Sequence, residues 1–363
     1  MKSIVLVSNP FGYGPSGKLA SVVSELQRSG VGKKHLLVFV GSKFSWDIIS
    51  RKGIDWIEVD ERSAPQLKNV FRKLENPVVF SSQNRFAIEA AKDLGVPCAF
   101  LDGLAWFWEQ IPAQHLAANI IFWLSYPGFS KPKISGADIR FVSSIVDEKA
   151  KVVKNRLYTL VHVGGCLNPL VPGLPEYWLK IIAETLREIK GRKIIVCGSK
   201  EALKFLRAQG VFSQNIKFLN LNHNKFYNLL SKASRLVTIG GQTASIEAMS
   251  LGVPVSFLPS WNFSQHALVE NLRKEFAAPL RFDWDDLGLR SEYGTEKDAI
   301  KKYRILANKV YKDTWYLAET KEAIKRLITI PADFSGQTSF ISKMGTGGAK
   351  QLSDHLVKKW HLN

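Results

Sequence analysis

The sequence predicts an α/β protein built from two doubly wound units. Short apolar runs of strand length alternate with amphipathic stretches of helix length along most of the 363 residues. This alternation is typical of parallel strands that are connected by helices. The pattern occurs twice, with a charged stretch between its two halves. A chain of this length also exceeds one ordinary hydrophobic core and fits two domains.

The first half, residues 1–155, is predicted to form one Rossmann-like domain. Its clear helices are Lys18–Arg28 and Arg85–Leu94. Its predicted strands are Ile4–Val7, His35–Val40, Pro77–Phe80, Pro97–Leu101 and Ile139–Val142.

The second half, residues 156–335, repeats the pattern as a second Rossmann-like domain. Its predicted strands are Tyr158–Val163, Arg192–Cys197, Ile216–Leu219, Leu236–Ile239 and Val253–Leu258. Its predicted helices are Glu176–Ile189, Glu201–Gln209, Lys225–Ala233 and Thr243–Leu251. The join is expected near Lys151–Leu157. A final helix within residues 336–363 is expected to return to the first domain after a glycine-rich loop, for which a simple hinge is the alternative.

Composition narrows the class of protein. Hydrophobic residues make up 45% and charged residues 23%, as in folded globular proteins. The net charge of +18 attracts nucleic acid, anionic membranes and anionic small molecules alike, but no zinc finger or arginine-rich arm is present. We therefore do not expect a nucleic-acid partner, whereas peripheral membrane contact and the oligomeric state stay open.

Localisation and metal content follow from short apolar runs and from the cysteines. The first run, Ile4–Val7, lacks the length of a signal peptide, and Leu116–Leu124 is about half a membrane span. Cys98, Cys166 and Cys197 have no metal-ligand spacing. We expect a soluble, cytoplasmic protein with buried reduced thiols and no metal site.

The strongest motif runs from Leu236 to Met249. A strand delivers Gly240 and Gly241, and a helix starts at once with Gln242, Thr243 and Ser245 in its first turns. Unpaired N–H groups at a helix start, with glycines that allow close approach, favour a bound diphosphate. Glu247 follows about one turn later, where its carboxylate can accept hydrogen bonds from a ribose diol. A solvated or capping Glu247 is the alternative.

This motif resembles the donor domain of GT-B glycosyltransferases, particularly MurG and the UDP-glycosyltransferases. Their pattern is a strand, a small-residue loop, a helix that carries a ribose-binding Glu, and a Gly-x-Pro turn into the next strand; it matches over Phe226–Pro259. The resemblance implies two Rossmann-like domains that face a central cleft. It also implies a UDP-sugar as co-substrate, with no further cofactor.

The same resemblance implies further donor-binding residues. Gly164 and Gly165 would face the diphosphate, Ser199 would lie near the nucleotide base, and Gln265 would hold the donor sugar. The first three stand in short motifs that are also found in ordinary βα turns. No Asp precedes Gln265, so the choice between a hexose and a hexuronate stays open.

A second glycine-rich segment follows the first strand, from Ser8 to Leu19. It nearly has the spacing of a phosphate-binding P-loop, but Leu19 stands where that loop needs a magnesium-binding hydroxyl. We expect the segment to bind the acceptor, with Lys18 holding an acceptor anion or a donor carboxylate; a solvated lysine is the alternative. The acceptor-binding residues would be Phe11, Gly12, Tyr13, Gly14, Ser16 and Gly17.

This loop, together with Leu101–Trp108, is similar to the cytosylglucuronate synthases, GT-B enzymes that join glucuronate to cytosine. That narrower resemblance implies a planar nucleobase as acceptor. Trp106 and Trp108 could then form an aromatic wall for it, although core packing is the more common use of such side chains.

Transfer with inversion needs a base that removes the acceptor proton. Asp102 is the first candidate because it stands at the end of a predicted strand, and His115 and Glu109 are alternatives. Asp102 could equally cap a turn.

The sequence therefore predicts a metal-independent glycosyltransferase of hexosyl type. Three alternatives stay open. A MurG-like enzyme at the membrane surface would need an apolar patch with basic neighbours, and a GT-B sugar-nucleotide epimerase would need other acid and base residues. A non-catalytic nucleotide or nucleic-acid binding protein would bind without turnover.

Overall fold

The computed structural model describes residues 1–50, 53–129, 134–146, 156–168, 170–275, 281–289, 294–330 and 334–362. The chain forms two compact units. Unit 1 comprises Met1–Lys149 and Ser342–Asn363, and unit 2 comprises Ala150–Ile341. Residues 151–155 of the predicted join lie outside the described residues.

Unit 1 contains a sheet of seven parallel strands in the order β3-β2-β1-β4-β5-β6-β7. The order reverses at β1, which pairs with β2 on one side and β4 on the other, as in a doubly wound sheet. The strands are β1 Ser3–Ser8, β2 Leu36–Gly41, β3 Asp55–Glu58, β4 Pro77–Ser82, β5 Cys98–Asp102, β6 Ile120–Leu124 and β7 Ile139–Val142.

Five helices of unit 1 lie between these strands: α1 Gly14–Arg28, α2 Val31–Lys34, α3 Lys43–Ile49, α4 Ala64–Phe71 and α5 Arg85–Asp93. Apolar side chains of α4 and α5 pack with those of the strands in one core. Burying an aliphatic or aromatic side chain of this kind contributes about 1.5–3 kcal/mol.

Unit 2 contains a second parallel sheet in the order β10-β9-β8-β11-β12. The strands are β8 Tyr158–His162, β9 Ile194–Cys197, β10 Ile216–Leu219, β11 Ala233–Thr238 and β12 Val255–Phe257. The helices are α6 Glu176–Glu188, α7 Lys200–Ala208, α8 His223–Leu230, α9 Gln242–Ser250, α10 Phe263–Glu275, α11 Glu296–Lys312 and α12 Thr314–Thr329. Helix α13, Ser335–Met344, begins in unit 2 and ends in unit 1. One core of unit 2 joins the sheet to α6, α11 and α12.

The last helix, α14 Gly348–Trp360, belongs to unit 1 and contacts α1 and β7. Its start lies against the chain that follows β7: the Gly348 N–H donates to the Ser144 carbonyl at 3.0 Å. A Cβ on Gly348 would collide with the Ser143 carbonyl oxygen, so this approach requires glycine.

The structure corrects the predicted elements at four places. β3 and β6 were not predicted as strands, although both belong to the sheet of unit 1. Helix α1 begins at Gly14 rather than Lys18, because Pro15 suits the first turn of a helix. Helix α8 ends at Leu230, since Ala233 already starts β11.

All three cysteines are buried and unpaired. Burial raises the pKa of the Cys98 and Cys197 thiols to about 12. Among the described residues, no helix has the length and apolarity to cross a membrane.

Candidate functional site

Helix α9 starts directly beyond the carboxyl end of β11. The strand ends at Thr238, and Gln242 is the first helical residue. Gly241 is the N-cap residue and offers no side-chain acceptor to the first turn. The N–H groups of that turn therefore have no partner from their own cap, which is the arrangement that attracts anions.

The two glycines before α9 are required for different reasons. A Cβ on Gly240 would collide with the Gln265 carbonyl oxygen and come within 2.9 Å of Val269 Cγ2, so Gly240 allows α10 to pack against this turn. A Cβ on Gly241 would meet only the Ile239 carbonyl oxygen, at 3.8 Å. Gly240 is thus explained by packing, whereas a side chain at Gly241 would make only one ordinary contact.

Glu247 is buried in α9 and bonded to a residue that the sequence analysis did not identify. Its Oε1 lies 2.6 Å from Nε2 of His223, the first residue of α8. The two side chains are only 2% and 4% exposed. Glu247 is therefore neither a solvated residue nor a helix cap.

Buried polar atoms without a partner recur after the strands of unit 2. Each follows the carboxyl end of a different strand: Asn168 after β8, His223 after β10, Gln242 after β11 and Trp261 after β12. The atoms concerned are Asn168 Nδ2, His223 Nδ1, both amide atoms of Gln242, and Trp261 Nε1; none has a hydrogen-bond partner among the described residues. Because unsatisfied buried groups are rare, this edge of the sheet is a candidate site for a polar ligand.

Several side chains that are predicted to bind the donor form hydrogen bonds within unit 2. Ser199 Oγ caps α7 by accepting from the Ala202 N–H, and Ser245 Oγ donates to the Gly241 carbonyl at 2.8 Å. Gln265 Oε1 accepts from the Trp261 N–H at 3.3 Å, which holds the loop before α10. Thr243 is buried in the first turn of α9.

The predicted glycine turn after β8 has a backbone that suits glycine and is closely packed. Gly164 has φ +70°, and a Cβ there would lie 2.7 Å from Ile239 Cδ1. Its carbonyl accepts from the Ser199 N–H at 3.1 Å. Gly165 follows directly in the same turn. The Gly164 carbonyl therefore links the segments that follow β8 and β9.

Two carboxylates that were not predicted as site residues lie at the start of α10: Asp283 is buried and Glu296 is half-buried. Asp283 accepts from the Ser260 N–H and hydroxyl, both at 3.1 Å, and lies 2.9 Å from His266 Nδ1. This bond to Asp283 raises the pKa of His266. Glu296 accepts from the Ser264 N–H at 3.2 Å, and burial raises its pKa to about 7.

In unit 1, two of the predicted catalytic residues form a pair. Asp102 ends β5 and is 1% exposed. Its Oδ2 lies 3.0 Å from His115 Nδ1, and its Oδ1 accepts from the Leu104 N–H at 2.9 Å. The Trp108 indole N–H also donates to Asp102, at 3.2 Å. Glu109, the third candidate, is exposed.

Because the carboxylate accepts from two N–H groups besides His115, it acts as an acceptor toward the imidazole as well. Nδ1 then carries the proton and Nε2 carries the lone pair. Nε2 forms no hydrogen bond with the described residues. This is the arrangement of a histidine base that a carboxylate orients.

Aromatic rings extend from this pair. Trp108 packs edge-on against His115, with ring centroids 5.8 Å apart, and Trp106 stacks on Tyr126 at 4.9 Å. The Trp106 N–H is buried without a partner among the described residues. Phe107 lies edge-on to both tryptophans.

The glycine-rich segment after β1 differs from the predicted loop. Gly14, Ser16, Gly17 and Lys18 lie inside α1, and Ser16 Oγ is hydrogen-bonded to Ser8 Oγ at 2.9 Å with both residues fully buried. Lys18 is 3% exposed, so it is not a mobile charge at a helix start.

Only the first part of that segment precedes the helix. Phe11, Gly12 and Tyr13 precede α1, where Tyr13 stacks on Phe44 at 4.9 Å. Gly12 has φ +63° and open space around its Cα. Among the described residues, no group of three or more His, Cys, Asp or Glu side chains could hold a metal ion.

The chain matches no protein family model and no curated protein in sequence. It is similar in structure to MurG of Acinetobacter baumannii (TM-score 0.51, 13% identity, 99% of this chain and 100% of that chain covered). It is also similar to MnaA of S. aureus, solved with UDP (TM-score 0.57, 16% identity, 100% and 98% covered). A third similar structure is the glycosyltransferase of kitacinnamycin (TM-score 0.54, 14% identity, 98% and 98% covered).

The narrower resemblance to the cytosylglucuronate synthases stays a prediction. The similarities cover at least 98% of both chains, and the two sheets have the parallel, doubly wound order expected for Rossmann-like units. The predicted fold class is confirmed: the chain has the GT-B fold.

Proposed function

We propose that the chain is a glycosyltransferase that moves a hexose or hexuronate from a UDP-sugar to a small acceptor, for which cytosine is our first candidate. The supporting observation is a group of four buried side chains in unit 2 that have polar atoms without a partner among the described residues and that each follow a different strand end: Asn168, His223, Gln242 and Trp261. A polar ligand that fills this edge would satisfy them, and a nucleotide sugar offers the matching hydroxyl, carbonyl and phosphate groups.

The donor would bind along the start of α9. The diphosphate lies at the first-turn N–H groups beside Gly241, and Glu247 accepts from the ribose hydroxyls. Gln242, at the first position of that helix, supplies an amide with neither atom in use. The similar MnaA structure was solved with UDP, which supports uracil as the base of the donor.

The acceptor would react beside His115. As the acceptor O–H or ring N–H loses its proton to His115 Nε2, its electron pair forms the new bond to the anomeric carbon. The bond between that carbon and the diphosphate oxygen breaks, and its electron pair leaves with UDP. Asp102 holds the imidazole and stabilises its charged form, and the α9 N–H groups stabilise the departing diphosphate.

The roles of the unit 1 aromatic residues follow from this step. Trp108 donates to Asp102 and packs on His115, so its role is to position the pair. Trp106 has an unused N–H and would contact a planar acceptor. Metal independence belongs to the proposal, since the helix N-terminus supplies the charge that a cation supplies elsewhere.

A thermal-shift panel of UDP-, GDP- and TDP-sugars tests the donor site. UDP-sugars should stabilise the wild type, and Glu247→Gln, which keeps the shape but not the charge, should lose most of that effect. Equal stabilisation of both proteins would remove Glu247 from the site.

Turnover tests the reaction itself. UDP-glucuronate with cytosine should give UDP and a glycosylated base, detected by mass spectrometry. UDP release with another acceptor would support transfer with a different acceptor specificity. Conversion of the sugar nucleotide without any acceptor would instead identify an epimerase, and binding without turnover would reject an enzyme.

A further inference from the structure

The carboxylate of Glu247 is only partly used in the described structure. Oε1 is bonded to His223 Nε2 at 2.6 Å, and Oε2 accepts no hydrogen bond from any described residue. The side chain is 2% exposed. An ionised carboxylate has about four acceptor positions, so a buried carboxylate with one donor leaves most of its hydrogen-bonding capacity to a ligand.

His223 is the donor that fixes this carboxylate. It is the first residue of α8, where Asn222 caps the helix by accepting from the Lys225 N–H at 3.1 Å. Its ring stacks on Tyr227, with centroids 6.0 Å apart. The imidazole is therefore held by its own helix, and Glu247 of the neighbouring helix is oriented against it.

From this geometry we infer that His223 is a positioning residue for ribose recognition, an inference that rests on the proposed function. Its Nε2–H occupies Oε1 and turns Oε2 toward the ligand, so that a ribose hydroxyl donates to Oε2. The pair then makes the site selective for ribonucleotides over nucleotides that lack the recognised hydroxyl.

In this arrangement the contributions of His223 and of one ligand hydroxyl to binding are interdependent. In the wild type, removal of the recognised hydroxyl weakens binding roughly 10- to 100-fold, the range for a hydrogen bond to a charged group. Without the imidazole the carboxylate is no longer held, and the same removal then weakens binding by roughly two-fold or less. A purely structural defect would weaken all ligands by one common factor.

Calorimetric titration with UDP, 2′-deoxy-UDP and 3′-deoxy-UDP measures this interdependence. His223→Leu should bind UDP weakly and show almost no loss on removal of either hydroxyl. His223→Gln, whose amide N–H can replace Nε2–H, should recover most of the loss seen in the wild type. Tyr158→Phe is the control: it removes another hydrogen bond of unit 2, from the Tyr158 hydroxyl to the Leu229 carbonyl, at the opposite end of β8.

The outcomes distinguish failure of the proposed function from failure of the role inferred for His223. If the wild type does not bind UDP, the proposed function fails. If the wild type binds UDP and prefers it to one deoxy analogue, but His223→Leu keeps that preference, the inference about His223 fails alone. If His223→Leu does not fold, the wild type labelled with ¹⁵N-histidine replaces it: UDP should shift the His223 Nε2 resonance more than the deoxy analogue does, and equal shifts would overturn the inference.

Discussion

Nδ1 of His115 lies 3.0 Å from Oδ2 of Asp102, and both residues are buried at the carboxyl end of β5. This hydrogen bond indicates different roles for the two residues, which are both candidate bases from the sequence alone. Asp102 has donors on both oxygens and is therefore the orienting group. His115 Nε2 forms no hydrogen bond with the described residues, and in the proposed mechanism it is the group that takes the proton.

Asp102→Asn should lower kcat by roughly 100-fold or more, because an amide no longer selects the tautomer with a lone pair on Nε2. The KM for the UDP-sugar should change little, since Asp102 does not contact the donor in this mechanism. Steady-state kinetics at fixed acceptor measures both. Asp93→Asn, at an exposed carboxylate of the same unit, is the matched control. An equal loss in Glu109→Gln would assign the base to Glu109 instead.

The two glycines before α9 should respond differently to the same added methyl group. Gly240→Ala should lower the free energy of unfolding by about 1–3 kcal/mol, because its Cβ collides with the α10 backbone. Gly241→Ala should leave stability within about 0.5 kcal/mol, since φ is −82° and the space is open.

Binding of UDP should show the opposite order. The Gly241→Ala methyl group lies where the diphosphate approaches the first turn of α9, so the variant should bind UDP more weakly while it stays folded. Urea denaturation and UDP titration of the two variants measure both effects. Tight UDP binding by Gly241→Ala would place the diphosphate elsewhere.

Gln242→Met should raise stability and weaken donor binding in the same protein. Both amide atoms of Gln242 are buried without partners among the described residues, and an unsatisfied group costs about 1–3 kcal/mol. Methionine has a similar volume and no such requirement, so we expect a gain of about 1 kcal/mol in the absence of ligand. The stabilisation by UDP should shrink, which a thermal-shift titration measures.

Gln265→Met is the comparison for that variant. Gln265 Oε1 already accepts from the Trp261 N–H, so loss of its amide should destabilise unit 2. If Gln242→Met were destabilising to the same extent, the Gln242 amide would have a partner in the folded protein and would not be reserved for a ligand.

The elements that the sequence predicted are those with the simplest signals. The strands of unit 2 are short apolar runs bounded by turns, and all five were located. β3, by contrast, is an edge strand whose terminal residues Asp55 and Glu58 are exposed, so it has no apolar run. β6 is a fully buried strand, so its sequence shows no alternation of polar and apolar residues that would indicate a strand.

The candidate site was predictable in its backbone and not in its side-chain pairs. The glycine turn and Glu247 follow a recognisable local order. His223, the partner of Glu247, stands 24 residues earlier in the sequence. Helices α8 and α9 bring the two side chains together because both helices contact the same strand, β11. For Ser16 the backbone prediction was wrong: the neighbouring glycines indicated a loop, but Ser16 lies in helix α1. Its hydroxyl is hydrogen-bonded to that of Ser8.

Glu296→Gln should remove a pH dependence from the stability of unit 2. Burial raises the pKa of Glu296 from 4.5 to about 7. Between these pH values the folded protein binds a proton that the unfolded chain has lost. Stability therefore falls by about 3 kcal/mol as pH rises from about 4.5 to 7, at about 1.4 kcal/mol per pKa unit. Above that range it is constant.

Glutamine cannot ionise and still accepts from the Ser264 N–H, so the variant should be more stable than the wild type at pH 8 and equal to it near pH 4.5. Urea denaturation at both pH values gives the difference directly. Glu184→Gln, at a surface carboxylate paired with Arg187, should follow the wild type. A variant that is less stable at pH 8 would show that the ionised carboxylate holds the start of α10, which would make the charge of Glu296 stabilising despite its burial.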